Sequence, residues 1–129
     1  MKVFLDEGAF MPERGHPLDA GLDLRAPYSF SIYPGERKTI DTGVHIQLPM
    51  GFYGNIATKS SLSKDRGIIC QGVVDSSYRD SIFVVLVNAS KQIANFEVGD
   101  TIAQLIIQEY QTVDVEPVMS IEFLGKTNR

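Results

Sequence analysis

The sequence predicts an all-β domain, an antiparallel sandwich or barrel that carries one short helix. Three observations lead there. Glycine and proline, 11 and 6 of them, punctuate the chain from end to end, so no segment between breakers runs long. Those segments are rich in β-branched and aromatic residues. The clearest periodic stretch, Tyr28-Ser29-Phe30-Ser31-Ile32, alternates apolar and polar with period two, the pattern of a half-buried strand. Regular short strands at this spacing are the signature of a sandwich or barrel.

Taken in order, the first element is Leu22-Asp23-Leu24, where alternation places the leucines on one face and Asp23 on the other, a solvated strand face if nothing else meets it. The 28–32 strand follows, and Pro34-Gly35 turns the chain. Further strands are expected around 38–42, 44–48 and 52–58, with Pro49-Met50-Gly51 between the last two. Residues 71–80 read as a hairpin tip, from which Ile82-Phe83-Val84-Val85-Leu86-Val87 carries the chain away. A strand over 101–111 and a looser one over 113–118 complete the set. Only 61–66, ahead of Gly67, can be helical; a serine N-cap and a glycine C′ bound it to about two turns.

Composition narrows the function. A chain of 129 residues is expected to form one domain, long enough to bury a substantial core, and 43% hydrophobic with 22% charged residues is ordinary for a globular protein. The formal net charge of −4 and pI near 5.1 argue against a nucleic-acid partner, which needs a basic face, but leave room for a small polyphosphate held by a few cations and amides. No apolar run approaches the roughly 18 residues that span a bilayer, so no membrane role is expected. The N-terminus turns acidic at Asp6-Glu7, too soon for a signal peptide. The single cysteine, Cys70, allows no intrachain disulfide and fits a reducing, cytoplasmic setting.

Four stretches pattern polar groups for chemistry. In Gln71-Gly72-Val73-Val74-Asp75-Ser76-Ser77-Tyr78-Arg79-Asp80, a β-branched pair delivers a carboxylate into a polar tip, and an aromatic follows three residues later. That is a reaction centre or an ordinary turn in which Asp75 makes an Asx bond. Ala20-Gly21-Leu22-Asp23-Leu24-Arg25-Ala26 combines small residues with one acid. Ala57-Thr58-Lys59-Ser60-Ser61-Leu62 places hydroxyls and a lysine where a strand gives way to the helix, which suits a phosphate, or simply caps the helix. It is no Walker loop, since Gly-x4-Gly-Lys-Ser/Thr is absent. Gly99-Asp100-Thr101-Ile102-Ala103-Gln104-Leu105 opens a β-prone run that Gln104 interrupts with an amide able to donate to a phosphate oxygen.

Set in order, these stretches resemble the trimeric dUTPase family (deoxyuridine 5′-triphosphate nucleotidohydrolases). Residues 20–26 are similar to its first motif, 57–62 to its second, 72–80 to its third and 99–107 to its fourth. The resemblance implies a distorted β jelly roll with one short helix, a homotrimer with active sites at subunit boundaries, and Mg²⁺-dependent cleavage of dUTP to dUMP and pyrophosphate. On that basis Asp75 matches the general base that polarises a water for in-line attack on the α-phosphorus. Tyr78 matches the tyrosine that packs on the deoxyribose and leaves no room for a 2′-hydroxyl. Gly72, Val73 and Val74 match the segment that reads uracil largely through main-chain groups. Lys59, Ser60 and Ser61 match the phosphate-binding motif, Gln104 a phosphate-contacting glutamine, and Asp23 an acid near the metal, acting through coordinated water.

The chain also departs from the family pattern. Thr58-Lys59 stands where Pro-Arg is usual, keeping the charge but losing the bidentate guanidinium. Asp80 stands where the third motif usually closes with glycine, and Ile69 where some relatives place a polar residue facing the base. The fifth motif, a glycine-rich arm that closes over bound nucleotide, would start at Arg129; Arg129 is expected to be its first residue and a phosphate ligand, with the rest missing. Two other readings share the resemblance. A dCTP deaminase has the same fold, in longer chains with a glutamate in place of this aspartate–tyrosine arrangement. A nucleotide-binding module would keep the fold and lose the turnover.

Overall fold

The computed structural model describes residues 1–128, so Arg129 and the role expected for it lie outside the described residues. The strands are β1 (Lys2–Leu5), β2 (Gly21–Arg25), β3 (Phe30–Ile32), β4 (Arg37–Asp41), β5 (Val44–Gln47), β6 (Phe52–Ala57), β7 (Ile68–Val74), β8 (Phe83–Asn88), β9 (Ala94–Phe96) and β10 (Thr101–Glu109). The helix α1 (Ser60–Arg66) joins β6 to β7, and a 3₁₀ turn, Ile121–Leu124, lies near the end. Six strands form one sheet in the order β2-β10-β6-β7-β8-β4, and the pairs β1-β5 and β3-β9 flank it. Every pairing is antiparallel. The all-β expectation therefore holds, helix included. No helix among the described residues is long and apolar enough to cross a membrane.

One buried cluster fills the space between these layers, with Leu24, Ile32, Ile40, Ile68, Leu86 and Phe96 sealed from solvent. Burying each such side chain contributes about 1.5–3 kcal/mol relative to exposure, which fixes which face of each strand turns inward. Phe30 stacks on Phe96 at 4.8 Å, and the Arg66 guanidinium covers the Phe96 ring at 4.5 Å, so α1 is tied to the β3-β9 pair. Asn88 is fully buried yet satisfied: its amide donates to the carbonyls of Ile32 and Gln92, each at 2.8 Å, and its oxygen accepts from the Ser90 backbone and hydroxyl.

Several local expectations are corrected. The residue capping α1 is Lys59, in extended conformation, rather than a serine, so both Ser60 and Ser61 fall inside the first turn. Gly67 does end the helix, in the left-handed conformation at φ 65°, where a side chain would be strained. Residues 113–118 alternate like a strand but pair with nothing among the described residues; Val113, Val115 and Val118 stand exposed. β1 and β9 carry too little pattern to be seen in advance, at 4 and 3 residues. Asp23 is not on a solvated face: it is 8% exposed, because its backbone N–H donates to the Glu13 carbonyl at 2.7 Å and the 13–23 bridge covers it.

Candidate active site

The candidate residues fall into two groups, and the sheet register explains each. In the first, Gln104 on β10 pairs with Asp23 on β2 to one side and Ala57 on β6 to the other. Directly opposed residues point to the same face, so the acid, the amide and the end of β6 share one row. Thr58 then extends the β6–β7 ladder with its side chain. Its hydroxyl donates to the Cys70 carbonyl at 2.7 Å and accepts from the Cys70 N–H at 2.9 Å. Its own carbonyl accepts from the Gln104 amide at 3.0 Å. Lys59 reaches back over this turn, and its ammonium donates to Asp23 Oδ1 at 2.9 Å, with both groups half-buried or better.

Gln104 therefore does something the sequence does not reveal. Its amide group donates one hydrogen bond to the Thr58 carbonyl, fixing the turn from which Lys59, Ser60 and Ser61 project. The fit is close: a methyl group at Gly21 would lie 2.4 Å from the Gln104 amide oxygen and 2.8 Å from its Cβ. Gly21 is thus the space that Gln104 occupies. The Leu62 and Ser63 amides donate to the Lys59 carbonyl, at 2.9 and 3.1 Å, and those of Ser60 and Ser61 have no partner within the helix. Lysine, two serines and free amides surround this row, a donor set suited to phosphate oxygens.

The second group surrounds a fork. β7 pairs with β8 only from Ile68↔Asn88 to Cys70↔Leu86. From Gln71 to Val74 it pairs with β6 instead, while β8 stays with β4 down to Asp41↔Phe83. The two strands of the expected hairpin thus splay apart before their tip. A pocket of about 340 Å³ opens between them, lined by Gly72, Val73, Val74, Asp75 and Tyr78 on one side and by Phe83 to Val85 on the other. The strand edges left unpaired inside a fork present bare N–H and C=O groups. They are ready to hydrogen-bond a flat heterocycle. Ile69 lies before the fork and does not line the pocket; it is 49% exposed.

At the mouth, the Tyr78 N–H donates to the Asp75 carbonyl at 3.0 Å, closing a turn that sets both side chains. The Tyr78 hydroxyl donates to the Ser81 carbonyl at 2.8 Å, which fixes the ring against the pocket wall. Desolvation, with Asp80 and Asp41 nearby, raises the phenol above its ordinary pKa, so it stays neutral. Burial likewise raises the Cys70 thiol, leaving it a packing residue. Among the described residues no non-glycine has positive φ, so the turn closed by Asp80 needs no glycine conformation.

The structure brings Asp23, Lys59, Ser60, Ser61 and Gln104 together, and separately Gly72, Val73, Val74, Asp75 and Tyr78. It does not unite the groups within one chain. Lys59, Ser60 and Ser61 lie beyond the Ala57↔Gln71 end of the β6–β7 ladder, and Asp75 and Tyr78 beyond the Gly54↔Val74 end. Adding the residues beyond each end makes about six strand steps of ~3.3 Å, on the order of 20 Å of backbone. Sequence reasoning missed Thr58 as a clamp and Phe83, Val84 and Val85 as a wall. Only the register could have shown either. Among the described residues no three His, Cys, Asp or Glu side chains cluster to cage a metal. Asp23 is a carboxylate beside the phosphate-type donors, a set that fits an ion held mainly by its own waters and by a polyphosphate.

The chain is similar to known proteins over most of its length. The dUTPase family model matches residues 7–128. A deoxyuridine 5′-triphosphate nucleotidohydrolase of Corynebacterium jeikeium is 39% identical over 131 residues, covering 98% of this chain and 84% of that protein. The Vaccinia virus (strain Copenhagen) protein of the same name is 42% identical over 118 residues, covering 92% and 78%. Among solved structures, a mutant dUTPase from phage phi11 of S. aureus, described with a structural Mg(II) ion, superposes with a TM-score of 0.84 at 25% identity, covering 95% of this chain and 98% of that one.

Replacing Gly21 with alanine should push Gln104 off Thr58. Hydrogen exchange at the Leu62 and Ser63 amides, which donate to the Lys59 carbonyl, should then rise roughly tenfold, the worth of one hydrogen bond, with the β7–β8 amides unchanged. Unaltered exchange at Leu62 and Ser63 would show that Gln104 does not hold the turn.

Proposed function

The chain belongs to the dUTPase family, and from that membership we propose that it hydrolyses dUTP to dUMP and pyrophosphate. The observation that carries the reading is the β7–β8 fork, a flat slot edged by main-chain groups with a carboxylate and a neutral tyrosine at its mouth. Uracil enters the slot and pairs with the backbone of Gly72, Val73 and Val74. The Tyr78 ring, held by Ser81, packs against the deoxyribose where a 2′-hydroxyl would need room. Asp75 accepts a hydrogen bond from a water and draws off its proton as the oxygen attacks the α-phosphorus in line. The bond from that phosphorus to the bridging oxygen breaks, and pyrophosphate leaves.

The phosphate chain is received by the other group. Lys59 supplies charge, Ser60 and Ser61 supply hydroxyl and backbone donors, and Gln104 keeps the turn that presents them. Asp23 would hold Mg²⁺ through coordinated water, and the ion, when bound with the triphosphate, offsets charge developing on its oxygens. Lysine in place of the usual arginine gives a point charge rather than a fork.

The two groups are too far apart in one chain to serve one triphosphate, which supports a site assembled at subunit boundaries in a homotrimer. A second feature supports the same assembly. Ile69, Val73, Phe83 and Val87 are 49, 65, 52 and 39% exposed, and strand alternation puts all four on one face of β7–β8. Exposed apolar side chains gathered on one face in this way, here around Gln71, are usually covered by a partner.

Pyrophosphate release from dUTP with Mg²⁺, measured beside UTP, dTTP and dCTP, tests the activity. Release from dUTP alone is expected; ammonia from dCTP, or tight dUTP binding with no turnover, would overturn it. Asp75→Asn should lower kcat by about 10²–10⁴-fold with dUTP affinity nearly intact, and undiminished turnover would remove Asp75 from the role of base. Tyr78→Ala should narrow the preference for dUTP over UTP by at least about tenfold. An unchanged ratio would mean that the ring does not read the sugar.

A further inference from the structure

The loop that carries Asp75 and Tyr78 is strapped on its return leg by groups the proposed chemistry does not use. The Arg79 guanidinium closes the loop on itself, donating to the carbonyls of Ser76 at 2.7 Å and Tyr78 at 3.0 Å. The Ser81 hydroxyl donates to Asp41, whose carboxylate also accepts the Gly43 N–H at 3.0 Å. Between these lies His45, on β5. One ring nitrogen, Nδ1, is 2.7 Å from the Arg79 carbonyl oxygen, and the other, Nε2, is 3.0 and 3.1 Å from the two carboxylate oxygens of Asp6.

Both of these partners are acceptors only, because a carbonyl has no proton to give and an ionised carboxylate has none either. A neutral imidazole carries one N–H, so one contact would set a lone pair against oxygen. Only the imidazolium donates to both. The ring is fixed besides by an edge contact with Phe4, its register partner on β1, at 5.6 Å between centroids. We propose that His45 is a positioning residue for the reaction, an imidazolium strung from Asp6 to the Arg79 carbonyl that holds the Asp75–Tyr78 loop in shape, and that loss of its proton slackens that loop.

The charged surroundings agree. Asp6 from the end of β1, Asp80 from the loop and Asp41 from the end of β4 all favour the cation. The opposing charges are Lys2 on β1, which lines the same shallow groove, and the Arg79 guanidinium, which is turned onto its own loop. The hydrogen bond to Arg79 first, and then the one to Asp6, raise the His45 pKa above its ordinary 6.5. For a raised histidine the sign is fixed. The strap is fully made below about pH 6.5 and is lost as pH rises through the folded-state value. Through it, affinity for substrate becomes sensitive to pH above 6.5 at a residue that touches no part of the nucleotide.

The inference rests on the proposed activity for its kinetic arm only. In the wild type, NMR titration of the His45 ring should give a midpoint above 6.5, and the Tyr78, Arg79 and Asp80 amide signals should shift with that same midpoint. Asp6→Asn should move both midpoints down together. In kinetics, KM for dUTP should rise roughly three- to tenfold as the ring deprotonates, the span of a single hydrogen bond. His45→Gln should show the raised KM at every pH, with that limb of the profile gone. Loop amides that ignore the ring titration, or a His45→Gln profile that matches the wild type, would overturn the proposal. A wild type that hydrolyses nothing would defeat the proposed function instead, with the NMR arm still deciding this one.

Discussion

The constraint on which the rest of the structure depends is that β7 serves two neighbours in succession. Its first three residues pair with β8 and its last four with β6. β8 is drawn away because its start is tied elsewhere. The Ile82 N–H donates to the Val44 carbonyl at 2.8 Å, and the Ile82 carbonyl accepts both the N–H and the hydroxyl of Thr42, at 2.9 and 2.5 Å. Below that anchor β8 runs with β4. The fork that results supplies an empty slot with unpaired backbone on its walls, and the loop spanning its mouth presents Asp75 and Tyr78. A regular hairpin from the same sequence would have closed the slot with its own hydrogen bonds.

The sequence made the elements legible where periodicity was strong, and lost them where only a partner could decide. Of the 28–32 alternation the structure keeps Phe30–Ile32 as a strand, and the long apolar run of β10 was clear. β9 was not, because three residues carry no period, and residues 113–118 misled because Val113 and Val115 alternate with Asp114 and Glu116 yet find no ladder among the described residues. The helix was placed within a residue, but its cap was not: two serines looked the natural choice, and the structure puts Lys59 there so that its ammonium can reach Asp23.

The candidate residues were legible as a set, through the order of four motifs, but their division was not. Asp23, Gln104 and Ala57 share a row because β10 lies between β2 and β6, an arrangement no local pattern announces. That row explains how the Gln104 amide, expected to meet phosphate, also reaches the Thr58 carbonyl. His45 was invisible for a similar reason. Its two partners, Asp6 and the Arg79 carbonyl, lie 39 and 34 residues away in sequence. Only the β1–β5 pairing and the return of the loop bring them to one ring.

The central claim is that one active site draws its phosphate group from one chain and its nucleoside group from another. Co-expression of two inactive forms, Asp75→Asn and Lys59→Met, tests it most directly. Each carries one intact half. If sites are shared between copies, random mixing should restore about a quarter of them, with dUTP turnover returning in proportion. If the mixture stays as inactive as its parents while both forms co-assemble, each site belongs to a single chain, and the account of a divided site is wrong.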